Sequence, residues 1–385
     1  MENKSIELIT KLVSFDTTSR NSNLKLIEFI SKYLNNYNVK SEVIYNSDHS
    51  KANLHAVIGP VNKSGIILSG HTDVVPIDGQ NWNSDPFTVS NKDNCLFGRG
   101  TADMKSFIGV VLSMVPKMIE TNINIPIHLA FSYDEEVGCL GVPELIKTIS
   151  ECYPTPFAAI VGEPTEMNVV NSHKGVYAYK TTVSGAEGHS SAPENGVNSI
   201  IFATKLINFL QEILNDLKTK STNPNFDPPY TSIHVGLING GTALNIIPKE
   251  CTFYWEYRLI PGESDVSIIN QFNDYTNNIV LPEMLKNSNE CRIETIRISN
   301  IPPLLPDTGS SAENLIMSLV KSNTVSTVAY GTEAGMFQSA EIPTIVCGPG
   351  NIAQAHKANE FIKIEQIQAC EKFINKLIKF AKESD

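Results

Sequence analysis

The sequence predicts an α/β fold: a mostly parallel sheet with flanking helices that carries a dinuclear metal site, plus an inserted ferredoxin-like βαββαβ lid domain. Three observations predict it. Short unbroken apolar runs alternate with helical patterns through the first half of the chain. Carboxylates and histidines follow directly on those runs. From about Tyr177 the rhythm changes, and after about Asn300 it changes back. An unbroken apolar run bounded by turn residues suits a strand buried on both faces, and such strands alternating with helices suit a parallel sheet.

Taken in order, SIELITKLVSF and NLKLIEFISKYL read as helices, and SEVIYN and NLHAVIG as strands. GIILSG, from Gly65, leads into His71-Thr-Asp73. The Gly98-Arg-Gly100 turn places Asp103 at the opening of a helix through MKSFIGVVLSMV, a position where the helix dipole favours a carboxylate. IPIHLAFSY, from Ile125, leads into Asp134-Glu135-Glu136, and FAAIVG, from Phe157, into Glu163-Pro-Thr165. The next segments read as strand (VYAYKTTVSG), helix (NSIIFATKLINFLQEILNDL), a polar surface loop (STNPNFDPP), two strands (YTSIHVGLING, CTFYWEYRLI), helix (DVSIINQFNDYTNNIV) and strand (CRIETIRIS). That is the order of a split βαβ unit. Finally IPTIVCGPG, from Ile342, precedes a Gly/Asn/Ala loop that delivers His356. The expected domains are a discontinuous catalytic domain over 1–176 and 300–385, and an inserted lid and dimerisation domain over 177–299.

Composition narrows the function. At 385 residues the chain exceeds the usual single-core limit, so two domains are expected. No stretch has the roughly 18 uninterrupted apolar residues of a membrane helix, and MENKSIEL lacks the basic start and apolar centre of a secretory signal. A soluble cytoplasmic protein is the expectation. The seven cysteines are scattered, with no C-x-x-C pair, and read as reduced thiols. A formal charge of −11 supplies no basic patch for nucleic acid or an anionic membrane, and neither is expected as a partner.

In an open α/β sheet, residues just past the carboxyl ends of parallel strands converge in one crevice. His71, Asp103, Glu135, Glu136, Glu163 and His356 are placed to meet there. Each has an ordinary reading by itself: a strand-end histidine, a solvated acidic loop, a turn acid before Pro164, a loop histidine. Together they have the composition of a two-metal hydrolase site, in which one carboxylate bridges two ions. His71 and Glu163 would hold one ion, Glu136 and His356 the other, with Asp103 between them. Glu135 is left free for proton transfer. Asp73, two residues after His71, could accept the imidazole proton that faces away from the metal.

SGHTDVVP, FGRGTADMK, DEEVGCLG, VGEPT and GPGNIAQAHKANEF resemble the dinuclear zinc acetylornithine deacetylase, succinyl-diaminopimelate desuccinylase and aminoacylase family of metallopeptidase-like hydrolases. GHSSAPENGVNSI, GGTALNIIP, EYRLIPG and YGTEAGMFQSAEIPTIVCGPG look most like its acetylornithine deacetylase branch. The resemblance spans nearly the whole chain. It implies the same five metal ligands, Glu135 as general base, and a cis peptide after Asp103. It further implies two divalent ions, zinc first and cobalt as the alternative, and a homodimer formed through the inserted domain. His189 matches a histidine that reaches an active site from the lid in similar enzymes. Asn245 and Arg258 match positions that bind the substrate carboxylate, for which a planar guanidinium is well shaped.

The implied reaction is hydrolysis of the small-molecule amide Nα-acetyl-L-ornithine to L-ornithine and acetate by a metal-bound hydroxide, in arginine biosynthesis. Glu135 would move the proton and His189 would help hold the oxyanion. In Gly331-Thr-Glu-Ala-Gly335, Glu333 could face the ornithine ammonium; alternatively Thr332 caps the helix TEAGMFQSA and Glu333 is a first-turn acid. The competing readings are a desuccinylase, a broad aminoacylase or dipeptidase of the same family, and a ligand-binding relative without catalysis, for which Glu135 would have no use.

Overall fold

In the computed structural model, which describes residues 2–220 and 222–384, the chain divides into two compact units. One runs through Ser172 and takes up Leu304–Thr327 and everything from Thr332 onward; the other is His173–Pro303 with Val328–Gly331. The short Val328–Gly331 segment thus groups with the second unit, although the sequence pattern gives no break there.

The first unit is built on an eight-stranded sheet in the order Ser41–Tyr45, Ala52–Ile58, Ile127–Ser132, Ile66–His71, Ala158–Pro164, Thr344–Gly348, Val170–His173, Ser326–Val328. Ile127–Ser132, Ile66–His71, Ala158–Pro164 and Thr344–Gly348 run parallel to one another. Antiparallel strands flank them. Every residue of these four strands is buried, which is why they read as unbroken apolar runs. Helix Lys105–Thr121 is buried on all sides from Lys105 through Leu112 and packs against helices Glu2–Val13 and Ile364–Glu383. It lies so near the sheet that a Cβ on Gly162 would stand 2.2 Å from the Phe107 ring. Only glycine permits that approach. Asp103 stands just before this helix, not within its first turn, and the Asp103–Met104 peptide is cis.

The second unit has the βαββαβ order: Gly175–Ser184, helix Ser199–Lys220, Ser232–Gly240, Glu250–Leu259, helix Ser267–Tyr275, Arg292–Ile301. Its antiparallel sheet runs Ser232–Gly240, Glu250–Leu259, Gly175–Ser184, Arg292–Ile301. Here burial alternates along Glu250–Leu259, as expected of a sheet covered by helices on one face. Phe253, Trp255 and Tyr257 form the covered side, with Leu206, Leu210 and Phe272 in the same core. Of the segment STNPNFDPP, Ser221 lies outside the described residues. The remainder is a loop, but Phe226 is buried and the Lys174 ammonium donates to the carbonyls of Pro228 and Tyr230, each at 2.7 Å. An apolar anchor and a buried cation therefore pin a segment whose composition reads as wholly solvated.

The seven cysteines are free thiols, and Cys139, Cys251, Cys291, Cys347 and Cys370 are buried. Among the described residues no helix is long and apolar enough to cross a membrane.

Candidate metal centre

The carboxyl ends of the four parallel strands open onto one edge of the sheet in the first unit, and the chemistry-bearing residues gather there. His71 is the last residue of Ile66–His71, and Glu163 is next to last in Ala158–Pro164. Glu135 and Glu136 come from the turn after Ile127–Ser132, and His356 from the loop after Thr344–Gly348. Asp103 lies between the two imidazoles. Its Oδ1 is 3.0 Å from His71 Nε2 and its Oδ2 is 3.4 Å from His356 Nε2. Glu163 Oε1 lies on the His71 side, 3.6 Å from Nε2, and Glu136 Oε2 on the His356 side, 3.0 Å from Nε2. One ligand atom each from His71, Asp103 and Glu136 falls within 4.8 Å of the others.

The electrostatics favour a cation. Burial pushes Glu135 and Glu163 well above the usual carboxylate range, and it pushes Glu136 up to about 7; neighbouring carboxylates reinforce each shift. His356 is raised to about 10 by its bonds to Asp103 and Glu136. Asp103 moves the other way: burial opposes its charge, but both imidazoles favour it and the net displacement is downward. Glu163 Oε1 is buried with no hydrogen-bond donor. A buried carboxylate oxygen without a partner is costly. Hard oxygen donors and imidazoles set on two sides of a central carboxylate fit a pair of divalent ions.

Asp73 serves differently from the sequence expectation. His71 Nδ1 meets the backbone carbonyl of Asp73 at 2.9 Å, whereas the Asp73 carboxylate is 3.6 Å away, beyond hydrogen-bond length. That carbonyl sets the ring's tautomer and directs Nε2 toward Asp103. The carboxylate instead accepts from Ser19 Oγ at 2.7 Å and from the amides of Glu135 at 3.1 Å and Glu136 at 3.3 Å. It therefore fixes the turn that carries both glutamates. Glu135 itself meets neither imidazole; the Cys139 thiol lies 3.7 Å from its Oε1.

Glu333 also departs from the sequence expectation. It is fully buried, its Oε2 accepts from Ser69 Oγ at 2.8 Å and its Oε1 accepts from Ser132 Oγ. With both oxygens engaged between two strands, it offers nothing to a substrate ammonium. Thr332 Oγ1 accepts from the Ala334 amide at 3.0 Å, but Glu333 stands at the N-cap of helix Ala334–Ser339 and is not an acid of its first turn.

Three further residues belong to the second unit. His189 is exposed, on the short strand Gly188–His189 that pairs with Ile246–Ile247, and the Ser190 amide donates to the Asn245 carbonyl at 3.1 Å. His189 Nδ1 accepts from the Ser191 amide at 3.2 Å, which leaves its ring proton on Nε2. Arg258 Nε donates to Glu256 Oε1 at 2.9 Å along the same strand. This is a half-exposed pair of the kind that contributes little to stability.

Sequence reasoning missed Arg99, Glu360 and Gln80, which hold the loops of Asp103 and His356. The signal of Arg99 and Glu360 was present in FGRGTADMK and KANEF, but a charged residue beside a turn ordinarily reads as solvated; Gln80, in PIDGQNW, carried none.

The model describing peptidase family M20/M25/M40 matches residues 67–379. The chain is 33% identical over 382 residues to an acetylornithine deacetylase of Buchnera aphidicola subsp. Acyrthosiphon pisum (strain Tuc7), covering 97% of each protein. Among solved structures it resembles an M20 family metallo-carboxypeptidase of Sulfolobus solfataricus, with a TM-score of 0.77 and 16% identity over 98% of this chain and 99% of that one. It also resembles a dinuclear metal-binding M20 peptidase of Bacillus subtilis, with a TM-score of 0.66 and 13% identity over 100% of this chain and 99% of that one.

Proposed function

The chain belongs to peptidase family M20/M25/M40, and on that premise we propose that it is a dinuclear metal-dependent amide hydrolase that converts Nα-acetyl-L-ornithine to L-ornithine and acetate, a step of arginine biosynthesis. The observation that carries the metal reading is Asp103, whose two oxygens face one imidazole each, flanked by Glu163 and Glu136. His71 and Glu163 would hold one ion, Glu136 and His356 the other, and Asp103 both. Zinc suits these donors, and cobalt is the alternative. When bound, the ions would polarise the amide carbonyl and make water nucleophilic at neutral pH.

The protein's own groups supply the rest. Glu135 takes a proton from the attacking water and returns it to the departing amine nitrogen. Asp73 keeps Glu135 in place through the backbone of the turn. His189, with its proton on Nε2, is suited to donate to the developing oxyanion. Arg258 and Asn245 bind the substrate carboxylate. We place the enzyme in the cytoplasm as a homodimer formed through the second unit, in keeping with the exposed Leu237 and Ile238 on its edge strand Ser232–Gly240.

The choice of acetylornithine rests on the curated relatives of that name, since the burial of Glu333 withdraws the feature that pointed to a cationic side chain and spoke against a desuccinylase. The test is amine release by the zinc-loaded protein from Nα-acetylornithine, succinyl-diaminopimelate and acetylmethionine. Preference for acetylornithine supports the reading, and comparable rates on all three make it a broad aminoacylase. Two bound ions without turnover would refute catalysis.

A further inference from the structure

Arg99 and Glu360 are both sealed inside the first unit, with side chains only 1% exposed, and the chemistry above gives neither a task. Arg99 Nη1 donates to Glu360 Oε2 at 2.8 Å. A buried ion pair is weak evidence for stability, because desolvation offsets the attraction. The informative contacts are those the pair makes outward.

Glu360 Oε1 accepts from the amides of Ala102 at 2.8 Å and Asp103 at 3.1 Å, and its Oε2 accepts from that of Gly100 at 3.0 Å. The loop that presents Asp103 is therefore folded around a single carboxylate. On its other side, the Arg99 guanidinium donates to Gln80 Oε1 at 2.6 Å and to the Lys357 carbonyl at 3.3 Å. Gln80 Nε2 in turn donates to the carbonyl of His356 at 2.9 Å. Arg99 thus reaches the His356 loop directly and through Gln80, while Glu360 holds the Asp103 loop. His356 needs such support. It has a φ of 62° and comes from a loop, whereas His71 and Glu163 are residues of buried parallel strands.

We propose that Arg99 and Glu360 form a positioning clamp that sets the distance between Asp103 and His356. The clamp governs chiefly retention of the ion held by Asp103, Glu136 and His356; the other ion shares Asp103 but takes its remaining ligands, His71 and Glu163, from the sheet. The inference rests on the dinuclear reading and deepens it.

The experiment is calorimetric titration of Zn²⁺ into the chelator-stripped full chain, comparing wild type with Glu360→Gln, Arg99→Lys and Gln80→Ala. Glu360→Gln should weaken the second ion about 10- to 100-fold, the range seen when groups that orient metal ligands are removed, and the first by a clearly smaller factor, since only one of its three ligands, Asp103, is held by the clamp. Arg99→Lys keeps the charge but cannot bridge Glu360, Gln80 and the Lys357 carbonyl together, so it should not restore the second ion. Gln80→Ala cuts only the arm to His356 and strands no charge; it should show a smaller loss of the same ion, and it decides the matter should the other variants fail to fold. Equal loss of both ions, or two ions with unchanged affinities in the variants, overturns the clamp. Failure of the wild type itself to take up two ions would overturn the dinuclear reading.

Discussion

His55 and His128 make stability depend on pH, and neither is among the proposed metal ligands. Both are buried in the first unit, stacked with ring centroids 5.3 Å apart, with His55 Nε2 3.1 Å from His128 Nδ1. The outer nitrogen of His128, Nε2, is buried without a partner. A Cβ on Gly65 would come within 2.8 Å of that nitrogen, so the strand is fitted closely over the ring. One proton suffices for the single bond between the rings, and a second would bring an uncompensated charge into the core. Burial accordingly holds His128 down at about 4, and holds His55, which also feels the charge of His128, at about 3, against 6.5 when unfolded.

Folded values below the unfolded one mean that the contribution is complete above pH 6.5 and is lost as the pH falls toward the folded values. For His128 alone the loss between about pH 8 and about pH 5 comes to about 2 kcal/mol. Against a typical total of about 5–15 kcal/mol this is readily measured. Urea unfolding at the two pH values, with chelator throughout so that metal uptake contributes nothing, should show wild type losing about 2 kcal/mol more than His128→Gln. His55 titrates in both proteins and cancels to first order. Parallel losses in the two would refute the assignment of that acid sensitivity to His128.

Two other outcomes follow from the geometry. Glu135→Gln should retain both ions in a metal titration while turnover falls by roughly 10²–10⁴-fold, and undiminished turnover would remove Glu135 from proton transfer. Gly162→Ala would set a methyl 2.2 Å from the Phe107 ring. The displaced helix should cost about 1–3 kcal/mol, read as a lower Tm, and an unchanged Tm would show that the helix yields freely.

The sheet was legible because its central strands are buried on both faces and so must be written as continuous apolar runs, with the polar residues displaced to their ends. The meeting of His71, Glu136, Glu163 and His356 was legible for the same reason, since parallel strands share an edge, whereas Asp103 joins them from the turn before a helix. Finer contacts were not. His-x-Asp specifies the spacing of His71 and Asp73, but the path of the chain after the strand decides whether carbonyl or carboxylate faces the ring. Glu333 reads as a substrate-facing or first-turn acid because nothing local shows that helix Ala334–Ser339 starts beneath two strands. The available hint lay elsewhere, in Ser69 and Ser132. Hydroxyls within fully buried strands need acceptors. Arg99 and Glu360 escaped notice because their partners are distant in sequence, and charge beside a turn is ordinarily solvated.

The place of strand Thr344–Gly348 has a consequence in time. It lies between Ala158–Pro164 and Val170–His173 in the sheet, yet a ribosome makes both of those strands long before it. The emerging first unit must hold that gap open, with apolar edges unpaired, until the last part of the chain arrives. The second unit, nearly continuous from His173 to Pro303, can complete its own sheet in the interval. His356 is synthesised later still, so a chain that has not yet reached it lacks one of the proposed donors. On the dinuclear reading, metal capture is thereby deferred until His356 has emerged, when the sheet that would support it has been closed.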